Sequence, residues 1–198
     1  TLRTPIVAVL GHVDHGKTTL LDTIRGSAVS EAEAGAITQH IGATAVPLET
    51  VAEIAGSLVD PGDFDLPGLL FIDTPGHHSF ATLRSRGGAL ADIAIVVVDA
   101  NDGFQPQTIE ALEILERTGT PFVIAANKVD MVPGWSSEAG GAIKPIYEAQ
   151  SPRTRKQADE RLYEIIGRLS DEGFSADLYW RCLLYPFDAA DEEDRVDL

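Results

Sequence analysis

The sequence predicts an α/β fold, a doubly wound and mostly parallel sheet with helices on both faces. Three observations carry that expectation. Compact, continuously apolar runs recur at 5–10, 69–72, 93–98 and 121–126, and unbroken rather than alternating apolarity marks strands that are covered on both faces. Stretches with helical spacing lie between and after them, which is the pattern of strand–helix–strand units. Each run is followed by a small or polar residue, Gly11, Asp73, Asp99 and Asn127 in turn. Open parallel sheets bind ligands beyond the carboxyl ends of their strands, so those four positions are where function is sought.

In chain order, PIVAVL at 5–10 is the first strand, and the glycine-bearing residues 11–18 lead into a helix over 18–25. Thr44 begins a second strand. Residues 49–67 are polar and contain Pro61, Gly62 and Pro67, so the second half of that stretch is expected to be a surface insertion. The strands at 69–72 and 93–98 follow. Residues 105–118 predict a helix with Pro106 in its first turn and Ile109, Leu112 and Leu115 on one face. After the strand at 121–126, residues 134–145 read as a loop. Ala158, Leu162, Ile165, Ile166 and Leu169 keep helical spacing over 158–169, and Gly173 supplies the stop. No internal repeat is present.

The 198 residues carry 31 acids against 15 bases, a formal charge of −16. Only four of the bases are lysines, Lys17, Lys128, Lys144 and Lys156. An acid excess with arginine preferred to lysine predicts adaptation to concentrated salt, where carboxylates hold water and self-repulsion is screened; ordinary acidity is the plainer alternative. The charge argues against a stand-alone binder of nucleic acid or anionic membrane, since those attract phosphate with a basic surplus. The single cysteine, Cys182, excludes an internal disulfide framework and fits a reducing cytoplasm. No apolar run approaches the roughly 18 residues that span a bilayer. The chain begins at Thr1 rather than Met, so it is expected to be a piece of something larger or a trimmed chain.

Gly11-His12-Val13-Asp14-His15-Gly16-Lys17-Thr18 fits G-x-x-x-x-G-K-[ST], after a strand and before a helix as that motif requires. The fold class is therefore that of a P-loop NTPase. Its glycines let backbone N–H groups turn toward the α- and β-phosphates, and the helix N-terminus adds a positive dipole. Asp14, His15, Gly16, Lys17, Thr18 and Thr19 are expected to line the phosphates, with Lys17 reaching β and γ oxygens and Thr18 ligating Mg²⁺. Asp73-Thr74-Pro75-Gly76-His77 follows the strand at 69–72. Asp73 can hold Mg²⁺ through water, and the Gly76 N–H can approach a γ-phosphate with no side chain in the way. Taken alone, Asp-x-Pro-Gly is also an ordinary turn.

The phosphate loop cannot choose a base. Asn127-Lys128-Val129-Asp130 fits N-K-x-D after the strand at 121–126. The Asp130 carboxylate can accept from guanine N1–H and N2–H₂, a donor pair that adenine lacks. Asn127 can bond guanine N7 and brace the loops, while the Lys128 stem can cover the ring. The expected ligand is GTP or GDP, and an ATP-dependent kinase is disfavoured because residues 127–130 would have no purpose there.

Together these residues resemble the translational GTPases, and within them the initiation factor two/five-B family in its archaeal and eukaryotic five-B branch. The matching segments are GHVDHGKTTLLD, EAGAITQHIGAT, FIDTPGHHSF, RGGALADIAIVVVDANDGFQPQT and ANKVD, and the resemblance covers about residues 3–181. With the acid excess, it points to a salt-adapted archaeal source. It implies a GTPase that yields GDP and phosphate, is stimulated by the ribosome, and promotes subunit joining around initiator tRNA through domains absent here. It also implies Mg²⁺ held by Thr18, Thr38 and Asp73. Thr38 resembles the switch threonine, with Thr44 as its rival, and Ala36 stands where the family usually has a second glycine. His77 resembles the histidine that positions the attacking water. His12, His15, His40 and His78 read as structural or as positioning the loop. Asp14 beside a polyphosphate implies a monovalent cation, K⁺ or Na⁺, between the like charges. A monomer is expected. The competing readings are an elongation or selenocysteine-specific factor, and a truncated nucleotide-binding module without turnover.

The GTP-binding domain is expected to span 1–181 and to be incomplete at its C-terminus, lacking the last strand and the Ser-Ala-x guanine loop of the family. Residues 182–198, CLLYPFDAADEEDRVDL, hold six acids and one arginine. They resemble translated sequencing-adapter read-through, and are read as a non-native tail; a divergent acidic tail is the alternative. Loss of the strand would expose a sheet edge, and loss of the loop would weaken guanine binding.

Overall fold

The structure, a computed structural model, describes residues 3–31, 43–56, 62, 64–73, 91–136 and 143–179. The chain divides into two units, Thr1–Val129 and Asp130–Leu198. The first contains strands β1 (Ile6–Gly11), β2 (Ala43–Pro47), β3 (Gly68–Asp73), β4 (Ile93–Asp99) and β5 (Phe122–Asn127), with helices α1 (Lys17–Glu31), α2 (Leu48–Ala55) and α3 (Pro106–Thr118). The second contains helices α4 (Ile143–Glu148) and α5 (Pro152–Asp171).

The five strands form one sheet in the order β2-β3-β1-β4-β5. β1 runs parallel to β3 and β4, β4 is parallel to β5, and only β2 is antiparallel to its neighbour β3. The strand order reverses direction at β1, which is the switch point where such sheets open a crevice. Register places the functional strand ends side by side: Val9 lies opposite Asp73, Gly11 opposite Val97, and Asp99 opposite Asn127.

Both faces are covered, for a reason visible residue by residue. Val7, Val9 and Val97 join Leu21 of α1, Val46 of β2 and Phe71 of β3 in one apolar cluster, with Leu20, Ile24 and Val51 packed against it. The intervening residues Ala8, Leu10, Ala94, Val96 and Val98 are buried as well, and they face the other way because strand side chains alternate. α3 contacts β1 and β4 and buries Ala111, Leu112, Ile114 and Leu115, which supplies the second cover. Each fully buried Val or Leu contributes about 1.5–3 kcal/mol, so burial on two sides holds the central strands more than local propensity does.

The predicted elements are present, with shifted ends and two added helices, α2 and α4. α3 starts at Pro106 after Gln105 and stops at Gly119, which takes the left-handed conformation at φ 64° and donates to Leu115 and Glu116. Thr44 lies in β2, as read. Residues 48–55 form α2 rather than part of a polar connection; Thr50 is buried and Val51 faces the core, so packing rescues a helix of only eight residues. Pro145 falls inside α4, which shortens the loop expected over 134–145. The helix expected over 158–169 begins at Pro152, because the Ser151 hydroxyl accepts from the Thr154 N–H at 3.2 Å and caps it. Thr38, Gly76, His77, His40, His78 and residues 182–198 lie outside the described residues. No helix among the described residues is long and apolar enough to cross a membrane.

Candidate functional site: a phosphate loop clamped by the loop after β5

The phosphate loop is shaped by its backbone. Gly11 has φ 137° and Gly16 has φ 93°, conformations that L side chains rarely adopt. A Cβ on Gly11 would stand 2.3 Å from the Val97 carbonyl oxygen, and one on Gly16 would stand 2.2 Å from Asn127 Nδ2. Torsion requires both glycines, and at Gly11 the close approach is to main chain, which cannot swing away. The Lys17 ammonium lies back across the loop and donates to the Gly11 and His12 carbonyls at 2.5 and 2.7 Å. α1 begins at Lys17, and the Leu20 N–H makes a helical bond to Gly16 at 2.9 Å. The amides before it point along the helix axis into the loop, as at any helix start. A concave backbone with φ > 0 at three places, a lysine at its mouth and a helix dipole behind it is built for a polyphosphate.

The loop after β5 grips this cradle through side chains. Asn127 Nδ2 donates to the His15 carbonyl at 2.8 Å, and Lys128 Nζ donates to the Asp14 carbonyl at 2.5 Å. Lys128 also pairs with the Asp99 carboxylate at 2.9 Å. Asp99 in turn accepts from the Asn101 backbone N–H at 2.8 Å and from its amide at 3.1 Å, while that amide donates to the Lys128 carbonyl at 2.9 Å. Partial burial pushes the Asp99 carboxyl up, but hydrogen bonds from Lys128 and Asn101 outweigh it and hold the group below the usual carboxylate range. The same pair raises Lys128 above the usual lysine range, with Asp14 and Asp102 adding to the pull. Both groups are therefore charged at neutral pH.

His15 is 2 % exposed, and its Nε2 donates to the Asp102 carboxylate at 3.2 Å. Gln105 donates to that carboxylate at 2.9 Å. His15 thus anchors the loop from beneath with its ring, while its carbonyl receives Asn127 above. Thr18 and Thr19 are exposed in the first turn of α1, and Asp73 is the last residue of β3. A hydroxyl at a helix start and a carboxylate residue at a neighbouring strand end suit Mg²⁺, which keeps waters and phosphate oxygens as its other ligands.

The structure therefore brings together Asp14, His15, Gly16, Lys17, Asn127 and Lys128 in the first unit. Asp130 belongs to the second, where it is exposed in a single 3₁₀ turn, Val129–Met131. Within that unit the chain following Asp130 is braced: the Ser136 N–H donates to Gln150 Oε1 at 2.8 Å, and Thr154 Oγ1 donates to the Gly134 carbonyl at 3.3 Å. The sequence marks Asp99 only as a strand-end position with no role of its own, and it does not single out Asn101 or Asp102. The signal was present in an aspartate at a strand end followed by Asn-Asp-Gly.

This fold and this loop define the chain as a P-loop nucleotide-binding domain of the guanine type. It belongs to the family described as the elongation factor Tu GTP binding domain, which matches residues 2–176. The chain is 82% identical over 181 residues to a protein named probable translation initiation factor IF-2 of Haloquadratum walsbyi, covering 91% of this chain and 29% of that one. It is 76% identical over 181 residues to the protein of the same name from Halorubrum lacusprofundi. Among solved structures, GDP-bound aIF5B from Aeropyrum pernix superimposes with a TM-score of 0.82 at 53% identity, over 91% of this chain and 31% of that one. The resemblance to the initiation factor two/five-B family is thereby borne out. The chain spans about 30% of the length of these relatives.

Proposed function

We propose that this chain binds GTP and GDP and hydrolyses GTP to GDP and phosphate, as the GTPase domain of a translation initiation factor of the IF-2/aIF5B kind. The observation that carries the reading is the hydrogen-bonding of Asn127 and Lys128 onto the phosphate loop, which joins a base-reading loop to a phosphate-binding one. Asp130 selects guanine by accepting from its N1–H and N2–H₂. Phosphates lie against the amides of residues 14–19, and the Lys17 ammonium leaves the loop carbonyls for the β and γ oxygens.

Catalysis in this reading is positioning and charge stabilisation rather than covalent chemistry. Thr38 and His77 orient the attacking water, and Gly76 meets the γ-phosphate. Thr18, Thr38 and Asp73 are the residues that would hold Mg²⁺, which when bound with the nucleotide neutralises the charge developing on the β and γ oxygens. Asp14 would hold K⁺ or Na⁺ against the phosphates. Replacing K⁺ by a large organic cation should then weaken GTP binding and slow hydrolysis.

The relatives' name, translation initiation factor, supports the ribosome as the partner; in this reading initiator tRNA is contacted through domains outside this chain and the working state is a cytoplasmic monomer. Alignment of 180–181 of the 198 residues with those relatives supports a domain at 1–181, with 182–198 outside it. The test is a GTPase assay with and without archaeal ribosomes on the wild type and on His77→Ala. His77→Ala should bind GDP as the wild type does and lose ribosome-stimulated turnover. Unchanged stimulated turnover would remove His77 from the mechanism, and absence of GDP binding by the wild type would sink the whole reading.

A further inference from the structure

We propose that Asp99 is a positioning residue for the nucleotide. Its carboxylate steers the Lys128 ammonium onto the phosphate loop, so that one ion pair couples the loop after β5 to the loop after β1. The inference rests on the guanine-nucleotide reading above and adds a residue that no part of the N-K-x-D or phosphate-loop motifs contains.

Among the described residues, Asp14 and Lys128 alone are non-glycine positions with positive φ, at 67° and 58°. Such residues persist only when their surroundings over-determine them, and they gather at ligand sites. Here a single hydrogen bond joins the two, from Lys128 Nζ to the Asp14 carbonyl at 2.5 Å. A lysine ammonium on a four-carbon stem has no preferred direction of its own. Asp99 supplies it, at 2.9 Å from the same Nζ.

The platform behind Asp99 is rigid. It ends β4 directly after Val96, Val97 and Val98, each 0% exposed, and its other oxygen is held by Asn101 at 2.8 and 3.1 Å. Asn101 also donates to the Lys128 carbonyl at 2.9 Å, so Lys128 is gripped at both its backbone and its tip. An ordinary surface ion pair contributes little because water competes for both partners. This pair differs in that the Asp99 side chain is 11% exposed and spans residues brought together by the Asp99 and Asn127 register.

The test is a double-mutant cycle on the full chain in concentrated KCl, reading GDP and GTP affinity by calorimetry for wild type, Asp99→Asn, Lys128→Met and the double variant. Asp99→Asn should weaken GDP and GTP alike by about tenfold, the loss typical of a charge-assisted hydrogen bond. In the Lys128→Met background it should have no further effect, which general damage to the fold would not reproduce. Wild-type affinity in Asp99→Asn, or losses that multiply in the double variant, would overturn the proposal. Should Asp99→Asn fail to fold, the exposed Asn101→Ala substitution takes its place in the cycle, with a smaller loss expected that again vanishes without Lys128; a neutral or multiplying result overturns the proposal there too. A wild type that binds no GDP would overturn the nucleotide reading itself, whereas GDP binding that ignores Asp99 overturns this inference alone.

Discussion

The loops after β1 and β5 meet beyond the carboxyl ends of their parallel strands but are held by different forces. The phosphate loop follows a strand buried along nearly its whole length, and its shape comes from glycine torsions and from backbone packed against backbone, with Gly11 pressed on the Val97 carbonyl. The loop after β5 follows a strand that, among the described residues, pairs on one side only and leaves Val123 51% exposed. Its geometry comes from side chains: two amides, one ammonium and one carboxylate. A loop held by backbone contact should fail when atoms are added. One held by side chains should fail when charges or donors are removed.

The largest effect is expected where space is tightest. Gly11→Ala combines a strained torsion with a clash against main chain that cannot swing away, and should lower stability by about 3 kcal/mol in urea unfolding. A neutral result would mean that the phosphate loop is not held by its backbone. Next comes the base-reading loop. Asp130→Ala should raise the Kd for GDP about 100-fold while leaving the already weak binding of ATP unchanged, since only guanine offers the paired donors. An equal loss for both nucleotides would assign Asp130 to loop stability instead of base choice. The Asp99→Asn cycle falls below that, near tenfold.

The smallest effect belongs to the second unit, which uses the side-chain method again. Tyr147 of α4 donates its hydroxyl proton to Asp159 of α5. Burial, then that hydrogen bond and the negative charge of Asp159, push the tyrosine up to about 12. A group whose folded value is raised contributes stability that is intact below its unfolded value near 10 and is lost as pH climbs toward 12. Wild-type stability should therefore fall more steeply across that window than that of Tyr147→Phe, by an amount on the order of 1 kcal/mol. Parallel pH profiles would show that the hydroxyl does not brace the two helices.

Much of this was legible in the sequence. β1 and β4 stood out because strands buried on both faces have no polar positions to break the run, and the run of β5 is as apolar although Val123 is exposed. α3 announced both ends, with Pro106 in its first turn and Gly119 after its last. α2 was hidden because LETVAEIA is short and mixes acids with apolar residues; its helicity is decided by Val51 and Thr50 turning inward. The start of α5 was hidden for the opposite reason. Its first turn, Pro152-Arg153-Thr154-Arg155, has no apolar stripe, and only the Ser151 cap and Pro152 mark it.

What the sequence determined by itself is whatever depends on residues close along the chain. The spacing of Gly11, Gly16, Lys17 and Thr18 states a phosphate loop, because torsion, helix start and ammonium reach are all set within eight residues. The order of Asn127, Lys128 and Asp130 states a guanine preference for the same reason. Tertiary structure alone decided which groups hold those motifs in place. Asp99 and Lys128 are 29 positions apart, and nothing local says that they meet. The parallel register of β4 and β5 sets Asp99 opposite Asn127, and that register follows from packing both sheet faces, a property of the whole unit rather than of any segment.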